Sequence, residues 1–255
     1  MLAGLYAGGE TSVREPSLSR DHSERMFRLF GASLETFNNG VTVKGGVELQ
    51  GQEIVVPGDI SSAAFFMVAA LITPGAELLI RNVGVNPTRT GVIDILRSMG
   101  GSIELQDERI VSGEPVADLL VRASQLKGIA IAGDVVPRAI DEFPVICIAA
   151  ACAEGTTTLQ DARELRVKET DRIAAMAANL RRLGVSVEER EDGMEITGAE
   201  RLTGGAMESF GDHRIAMSLS VAGLVASGSV TVDDVDCVAT SFPNFFQLLD
   251  MIAER

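Results

Sequence analysis

Three segments of the chain are apolar on nearly every side. They follow Asp59, Asp141 and Asp212, in the stretches PGDISSAAFFMVAALI, IDEFPVICIAAACA and GDHRIAMSLSVAGLVA. A helix without a polar face is buried, so we expect these three segments to form core helices. The acidic residue at the start of each is placed to cap its helix, because a carboxylate accepts hydrogen bonds from the first unpaired backbone amides.

Three further segments are apolar on one side only. They cover about 89–99, 168–183 and 244–253. In the second of them the apolar residues recur at helical spacing, at Ile173, Met176, Leu180 and Leu183. These segments predict amphipathic helices on the outside of the fold.

The elements recur with a period of about seventy residues. Each apolar helix ends at a glycine that a strand follows, and these glycines are Gly9, Gly75, Gly155 and Gly228, spaced 66, 80 and 73 residues apart. Alternating stretches, typical of strands, come after the outer helices, at 101–105, 119–122, 185–189 and 194–197. The order within a unit is βαβαββ, which predicts an α/β fold of repeated βαβαββ units.

The repeat is incomplete at both ends of the chain. The capping aspartates lie 16, 14 and 16 residues before their glycines, whereas only eight residues precede Gly9. We therefore expect an N-terminally truncated molecule in which residues 1–57 are the remnant, the last unit, of an N-terminal domain. Residues 58–255 then form a C-terminal domain of three βαβαββ units, the last without its closing strands, and the boundary lies at Val56-Pro57-Gly58.

The net charge of the chain narrows the classes of molecule that it can bind. The chain has 22 Lys and Arg against 36 Asp and Glu, a formal net charge of −14, and only 4% aromatic residues. Such a field repels nucleic acid and anionic membrane surfaces. A small anionic ligand is still compatible with it, because a few basic side chains gathered at one site act over short distances.

Cysteine usage and the length of the apolar runs predict a cytoplasmic protein. The three cysteines, Cys147, Cys152 and Cys237, have no CxxC or Cys/His spacing, which favours free thiols over a metal or redox role. No apolar run reaches the ~18 to 20 residues that a membrane helix needs. The first residues, MLAGLYAGGE, lack the basic region of a signal peptide.

The densest charged motif is ELRVKETDR, residues 164–172. In helical geometry Lys168 and Arg172 share a face, where two cations repel each other unless an anion lies between them. The start of a helix would add backbone donors for that anion. The alternative is an ordinary solvated helix face whose charge Glu169 and Asp171 neutralise.

Two histidines follow acidic residues at predicted helix starts, in SRDHSER and GDHR. A metal site at His22 or His213 is disfavoured, because neither has a second ligand at metal spacing. We expect the preceding acids, Asp21 and Asp212, to cap the helices.

Asp141 and Glu142 stand together at the start of an apolar helix. Burial and two adjacent carboxyls would raise one pKa of the pair, which suits Asp141 to the role of general base. The alternative role for Asp141 is a plain helix cap. No Walker A, GxGxxG, GxSxG or HExxH sequence occurs, so nothing supports a nucleotide-binding protein, a serine hydrolase or a zincin.

Six motifs, in this order and spacing, resemble one family: VPGDISSAAFF, NPTRTG, IDEFPV, RVKETDR, GDHRIAMS and ATSFPNF. They are similar to the C-terminal portion of the 5-enolpyruvylshikimate-3-phosphate (EPSP) synthases, over essentially the whole chain. The forms SRDH, IDE and ATSFP look like the bacterial subgroup that contains glyphosate-tolerant members. The resemblance implies the enolpyruvyl transferase fold, with two domains of three βαβαββ units and an N-terminal segment that completes the C-terminal domain.

The resemblance also implies an activity, because EPSP synthases are transferases of the shikimate pathway of aromatic amino acid biosynthesis. They move the enolpyruvyl group of phosphoenolpyruvate (PEP) to the 5-hydroxyl of shikimate 3-phosphate and release phosphate. No metal and no organic cofactor is implied. The implied substrate-binding residues are Arg20, Asp141, Lys168, Arg172 and Arg214, and the implied catalytic residues are Asp141, Lys168 and Glu169.

The roles implied for these residues are distinct. Arg20 would hold the phosphate of shikimate 3-phosphate, and Asp141 would contact its hydroxyls and accept a proton. Lys168 would contact both substrates, and Glu169 would transfer a proton at the methylene carbon of PEP. Arg172 of RVKETDR and Arg214 of GDHR would bind the carboxylate and phosphate of PEP.

Some features of the family differ or lie outside this chain. Thr240 stands where many members carry a Lys, and Glu164 stands where some carry an Asn. Roughly half of the family's active site lies upstream of the residue that corresponds to Met1, so we expect little activity from the chain alone. The alternative to a partial enzyme is a non-catalytic module that assembles with a complementary N-terminal half or with itself.

Overall fold

A computed structural model describes residues 1–15 and 19–253, so the last two residues of the predicted domain 58–255 lie outside the described part. The helices are α1 His22–Leu29, α2 Ile60–Ile72, α3 Gly91–Ser98, α4 Val135–Arg138, α5 Phe143–Ala151, α6 Arg172–Arg182, α7 His213–Gly223 and α8 Phe245–Ala253. The strands are β1 Glu10–Arg14, β2 Leu34–Phe37, β3 Gly40–Lys44, β4 Glu77–Gly84, β5 Ser102–Val111, β6 Glu114–Arg122, β7 Ala130–Ile131, β8 Thr156–Leu159, β9 Ser186–Arg190, β10 Gly193–Thr197, β11 Gly205–Met207 and β12 Val230–Val232. Short 3-10 helices cover Leu2–Tyr6, Arg163–Val167 and Val235–Thr240. None of the described helices combines the length and the apolar character that crossing a bilayer requires.

One strand order recurs in three of the sheets. β1, β3 and β2 are antiparallel neighbours in that order, as are β4, β6 and β5, and β8, β10 and β9. β7 extends the third sheet by pairing in parallel with β8. Apart from the one-turn helix α4 between β7 and α5, the chain therefore runs β7-α5-β8-α6-β9-β10, which is the predicted order of one unit. β11 and β12 form a two-stranded parallel sheet on either side of α7 in the chain.

The helices α2, α5 and α7 pack on one another at the centre of the larger core. All nine residues of α5 are buried, and so are eleven of the thirteen in α2. Many of them are alanines, whose small side chains let the helix backbones approach closely. Phe245 of α8 is fully buried on this bundle, with its ring edge against Phe65 at 5.8 Å between centroids. The predicted core helices are confirmed.

The outer helix α6 presents the predicted face to the core, and its four apolar residues, Ile173, Met176, Leu180 and Leu183, are at most 1% exposed. Its predicted start is wrong. The helix begins at Arg172, because the Asp171 side chain caps it by accepting a hydrogen bond from the Ala174 amide. Lys168 has extended backbone before that cap, so Lys168 and Arg172 do not share a helical face.

The predicted helix caps are confirmed at two positions and wrong at two. Asp59 accepts hydrogen bonds from two backbone amides of α2, and Asp212 accepts one from α7. At α5 the residue in the N-cap position is Glu142, not Asp141, and no side chain caps the helix. Asp21 occupies the N-cap position of α1 without capping it. In both of these cases the carboxylate binds an arginine instead: Asp141 binds the distant Arg20, and Asp21 binds Arg25 of α1 itself.

Three of the four predicted turn glycines adopt left-handed backbone. The φ angles are +96° at Gly9, +78° at Gly75 and +89° at Gly155, a region that other residues enter at a cost. Gly228 does not adopt a positive φ. The fourth turn therefore differs in conformation from the other three.

The described side chains form two separate hydrophobic cores. The smaller contains Leu5, Phe27, Ala32 and Val43. The larger begins at Ile60 and contains the helices α2, α5 and α7. The two cores are therefore made by different parts of the sequence, before and after the segment around Pro57.

Candidate active site

Asp141 lies among four basic side chains. Arg20 Nη2 donates to Asp141 Oδ2 at 2.5 Å, and Lys168 Nζ lies 3.4 Å from Oδ1. Arg172 Nη1 lies 3.9 Å from the same Oδ1, and Arg214 Nη1 donates to the backbone oxygen of Asp141 at 3.1 Å. The structure thus brings together all five predicted substrate-binding residues.

These residues come from four separate parts of the chain. Arg20 precedes α1, and Asp141 stands two residues before α5. Lys168 and Arg172 flank the start of α6, and Arg214 is the second residue of α7. The starts of α5, α6 and α7 therefore meet at one point, where their unpaired amides and dipoles add positive potential to that of the cations.

The pKa of the Asp141 carboxyl is lowered from 3.8 to about 2. Burial by itself raises the pKa, but the hydrogen bond from Arg20 and the charges of Arg214 and Lys168 outweigh the burial. The sequence predicts one raised pKa for the pair of Asp141 and Glu142, and the raised value does not fall on Asp141, because cations that are distant in sequence surround its carboxylate. Within the pair, burial raises the pKa of Glu142, whose side chain is 1% exposed.

Arg172 is held by two carboxylates. Its Nε donates to Asp212 Oδ2 at 2.8 Å, and its Nη2 lies 2.7 Å from Glu169 Oε2 and 3.3 Å from Asp212 Oδ1. Asp212 Oδ1 also accepts the backbone amide of Arg214 at 2.8 Å. One buried carboxylate therefore holds the guanidinium of Arg172 and the backbone of Arg214. The sequence pointed only to the cap, because the partner Arg172 is forty residues away.

The other carboxylates near the cations are exposed. Glu169 is 49% exposed and contacts Arg172, and Glu164 is 59% exposed with its Oε1 2.5 Å from Lys168 Nζ. Exposed ion pairs are weak, so these partners are readily displaced by an anionic ligand. Glu164 thus pairs with Lys168 directly. The hydroxyl of Thr240 donates to the backbone oxygen of Cys237 at 2.6 Å.

The histidines do not form a metal site in the described part of the chain. His22 Nδ1 lies 2.7 Å from Glu114 Oε1. Burial and the charge of Arg214 lower the pKa of His213, which favours the neutral form of this ring. Among residues 1–15 and 19–253, no three His, Cys, Asp or Glu side chains are grouped so as to hold a metal.

The arrangement suits small dianions. Arg172 is rigidly held and buried, whereas Arg20 is 44% exposed and Lys168 is 20% exposed, so a ligand can reach them. Guanidinium groups bind phosphate and carboxylate through two parallel hydrogen bonds. A carboxylate in the middle of the cations adds a group that can accept a proton once its own cation partners are engaged elsewhere.

Comparisons with known proteins agree on one family. The family model described as EPSP synthase (3-phosphoshikimate 1-carboxyvinyltransferase) matches residues 1–249. A 3-phosphoshikimate 1-carboxyvinyltransferase of Pelobacter propionicus is 79% identical over 250 residues, which are 98% of this chain and 58% of that protein. A protein of the same name from Geobacter metallireducens is 72% identical over 255 residues, which are 100% of this chain and 59% of that protein.

A solved structure supports the same relationship. The EPSP synthase from Acinetobacter baumannii matches with a TM-score of 0.94 and 52% sequence identity, over 98% of this chain and 58% of that one. This chain therefore spans less than two thirds of the length of these relatives. By sequence and by fold, the chain belongs to the EPSP synthase family.

Proposed function

We propose that the cluster around Asp141 is part of an active site that transfers the enolpyruvyl group of PEP to the 5-hydroxyl of shikimate 3-phosphate. One observation carries the proposal. Four cations from three separate segments converge on a single aspartate at distances of 2.5 to 3.9 Å. An acidic chain gathers cations in this way where it binds small anions.

Shikimate 3-phosphate binds first to the exposed side of the cluster. Arg20 takes its phosphate, and this contact draws the guanidinium away from Asp141. Asp141 then loses the hydrogen bond that most lowers its pKa, so its affinity for a proton increases. The low pKa of the ligand-free site is thus compatible with Asp141 as the group that contacts the 5-hydroxyl and accepts its proton.

PEP binds on the buried side. Arg172 and Arg214 bind its carboxylate and phosphate, and Asp212 keeps the two arginines in place. Lys168 lies between the residues that bind shikimate 3-phosphate and those that bind PEP, and it contacts both substrates. Because these cations are fixed before the ligands arrive, little reorganisation is needed when charge develops in the reaction.

The addition step needs two proton transfers. Glu169 protonates the methylene carbon of PEP, and the 5-hydroxyl oxygen attacks the adjacent carbon while its proton passes to Asp141. The product of this step is a tetrahedral adduct. Loss of phosphate, which takes up the proton held by Asp141, and return of a methyl proton to Glu169 then give the enol ether and restore both carboxylates. The protein residues supply all proton transfers, and we propose that neither a metal nor an organic cofactor takes part.

We further propose that residues 1–57 are the last βαβαββ unit of an N-terminal domain and that 58–255 are the C-terminal domain of the enolpyruvyl transferase fold. The two separate hydrophobic cores support this boundary. The remaining family length would come from a complementary N-terminal part, which also adds strands beside β11 and β12. Of the described sheets, β11–β12 has two strands whereas the others have three or four. This difference supports the assembly.

Two finer assignments rest on the sequence. The SRDH, IDE and ATSFP forms support membership of the subgroup with glyphosate-tolerant members, and inhibition of the assembled enzyme by glyphosate tests it. We also propose a cytoplasmic location, which the three free cysteines support because disulfides are rare in that compartment. The alternative to the complementary part is self-association, which light scattering distinguishes because a single monomeric species excludes it.

The test is phosphate release from PEP by the 255-residue chain, with and without shikimate 3-phosphate. The chain is assayed alone and together with the N-terminal part of the Pelobacter propionicus relative that this chain does not cover. We expect negligible release alone and release dependent on shikimate 3-phosphate after assembly. Lys168→Ala abolishes the release and Lys127→Ala, at an exposed position, does not. Failure of an assembled, folded complex to release phosphate contradicts the proposal.

A further inference from the structure

The NPTRTG segment, residues 86–91, has no part in the proposed reaction, yet two of its side chains are turned into the protein beside the cluster. It connects β4 to α3. We propose that Asn86 and Arg89 are positioning residues for the Arg20–Asp141 pair. Each of them binds the chain neighbour of one member of the pair.

Asn86 binds the neighbour of Arg20. Its side-chain amide is 2% exposed, and Nδ2 donates to Asp21 Oδ1 at 2.7 Å and to Glu114 Oε2 at 2.9 Å. Its Oδ1 accepts the backbone amide and the hydroxyl of Thr88 at 2.9 and 2.8 Å. Because donors and acceptor are all engaged, the amide cannot turn without losing hydrogen bonds.

Asp21 is therefore fixed from two sides. Its other carboxylate oxygen accepts Arg25 Nε at 2.9 Å, and its side chain does not cap α1. Arg20 is the preceding residue, with a side chain that is 44% exposed and contacts Asp141. A long exposed side chain has many rotamers, so the position of its backbone decides whether it reaches its partner.

Arg89 binds the neighbour of Asp141. Its Nη2 donates to Ser61 Oγ at 2.7 Å and lies 3.4 Å from Glu142 Oε1, and the Ser61 hydroxyl also donates to that oxygen. The Glu142 side chain is 1% exposed, whereas that of Asp141 is 16% exposed and faces the cations. Anchoring Glu142 therefore sets the direction in which Asp141 points.

The two anchors, Asn86 on Asp21 and Arg89 on Glu142, act on the contact between Arg20 and Asp141, which are 121 positions apart. One short segment holds both neighbours, so it sets the separation of Arg20 and Asp141. A charge-assisted hydrogen bond weakens steeply when its atoms are displaced or misaligned. Loss of either anchor should loosen this contact while the core residues stay in place.

The test is a carbon-13 NMR titration of the Asp141 carboxyl, which needs no substrate. Loosening Arg20 raises the pKa of Asp141 from about 2 toward 3.8. The charge-neutral variant Asn86→Ala and the charge-conserving variant Arg89→Lys are both expected to raise it, and Arg20→Ala gives the upper limit. Besides Arg20, the charged groups that face Asp141 are Lys168, Arg172, Arg214 and Glu142, and neither Asn86→Ala nor Arg89→Lys substitutes any of them.

A second variant tests the same anchor in case Asn86→Ala does not fold. Asp21→Ala removes the same anchor from a partly exposed position, and removal of a negative charge by itself lowers the pKa of Asp141. A rise therefore identifies displacement of Arg20. The matched control is Arg138→Lys, since Arg138 bonds the same segment through the Pro87 backbone oxygen and the Thr90 hydroxyl without contacting Asp21 or Glu142.

The inference is overturned if the pKa stays unchanged in folded Asn86→Ala and falls in Asp21→Ala, or if Arg138→Lys raises it equally. The part that Asn86 and Arg89 play in substrate binding rests on the proposed function and has a separate readout. Asn86→Ala and Arg89→Lys should weaken shikimate 3-phosphate binding by a smaller factor than Arg20→Ala. If the wild-type chain binds no shikimate 3-phosphate, the proposed function fails and the titration still decides the positioning role.

Discussion

The guanidinium of Arg172 is joined to the carboxylate of Asp212 by two hydrogen bonds, with Nε 2.8 Å from Oδ2 and Nη2 3.3 Å from Oδ1. Arg172 is 1% exposed and Asp212 is fully buried. Because the same carboxylate accepts the amide of Arg214, the starts of α6 and α7 are tied together at the proposed PEP site. Their relative position therefore depends on a buried ion pair.

We predict that Asp212→Ala is strongly destabilising. The change leaves the buried Arg172 charge without its main partner, which costs roughly 3–5 kcal/mol of unfolding free energy. Urea denaturation of the chain measures the loss. Asp212→Asn keeps the helix cap and is expected to cost less, because Asn caps as well as Asp does. A loss below about 1 kcal/mol for Asp212→Ala would show that Arg172 is not held by this pair.

Asp141 predicts a pH dependence of stability. Its pKa is about 2 in the folded chain against an ordinary 3.8. The contribution of the ionised carboxyl is therefore complete above pH 3.8 and is lost as the pH falls toward 2. After allowance for solvent screening, Asp141→Asn should lower the unfolding free energy by about 1–2 kcal/mol at pH 6.

The difference between the wild type and Asp141→Asn should shrink as the pH is lowered from 4 to 3, and denaturation curves at several pH values measure it. The matched control is Asp107→Asn, which removes a 72% exposed partner of Arg109 and should change stability by less than about 0.5 kcal/mol. A difference that grows on acidification would contradict the cationic surroundings assigned to Asp141.

The cap of α2 gives a third prediction. Asp59 accepts the amides of Ser61 and Ser62 at 3.2 and 3.0 Å, so Asp59→Ala should cost about 1 kcal/mol. Asp134 occupies the N-cap position of α4 without a side-chain hydrogen bond, and Asp134→Ala should be nearly neutral. Thermal unfolding of the two variants compares them. Equal losses would mean that the Asp59 bonds do not stabilise the helix.

The sequence predicted the parts of the fold that depend on neighbouring residues. Asp59 and Asp212 cap the helices they precede, and the apolar face of α6 is buried where its spacing placed it. Such features depend on hydrogen bonds and contacts within one or two helical turns. Asp171 is an exception among the local features, because the charge pattern indicates a neutralising residue there, whereas its side chain caps α6 directly after the extended backbone at Lys168.

The wrong prediction for Asp141 and the missed roles of Asn86 and Arg89 arise where a side chain contacts a partner that is distant in sequence. Asp141 has the position of a cap, but Arg20 takes its carboxylate from 121 residues away. The sequence motif gives no indication of the contacts of Asn86 and Arg89, because their partners Asp21 and Glu142 are 65 and 53 residues away. Local pattern does not specify such contacts, and in this chain they lie at the candidate site.

The most direct test of the account is calorimetric titration of shikimate 3-phosphate into the 255-residue chain. We expect one binding site, with affinity at least ~10-fold weaker in Arg20→Ala because a charge-assisted contact to phosphate is lost. Arg28→Ala is the matched control, since Arg28 is an exposed arginine on α1 whose hydrogen-bond partner is Thr36. Equal binding by the wild type and Arg20→Ala, or no binding by the wild type, would contradict the substrate site proposed around Asp141.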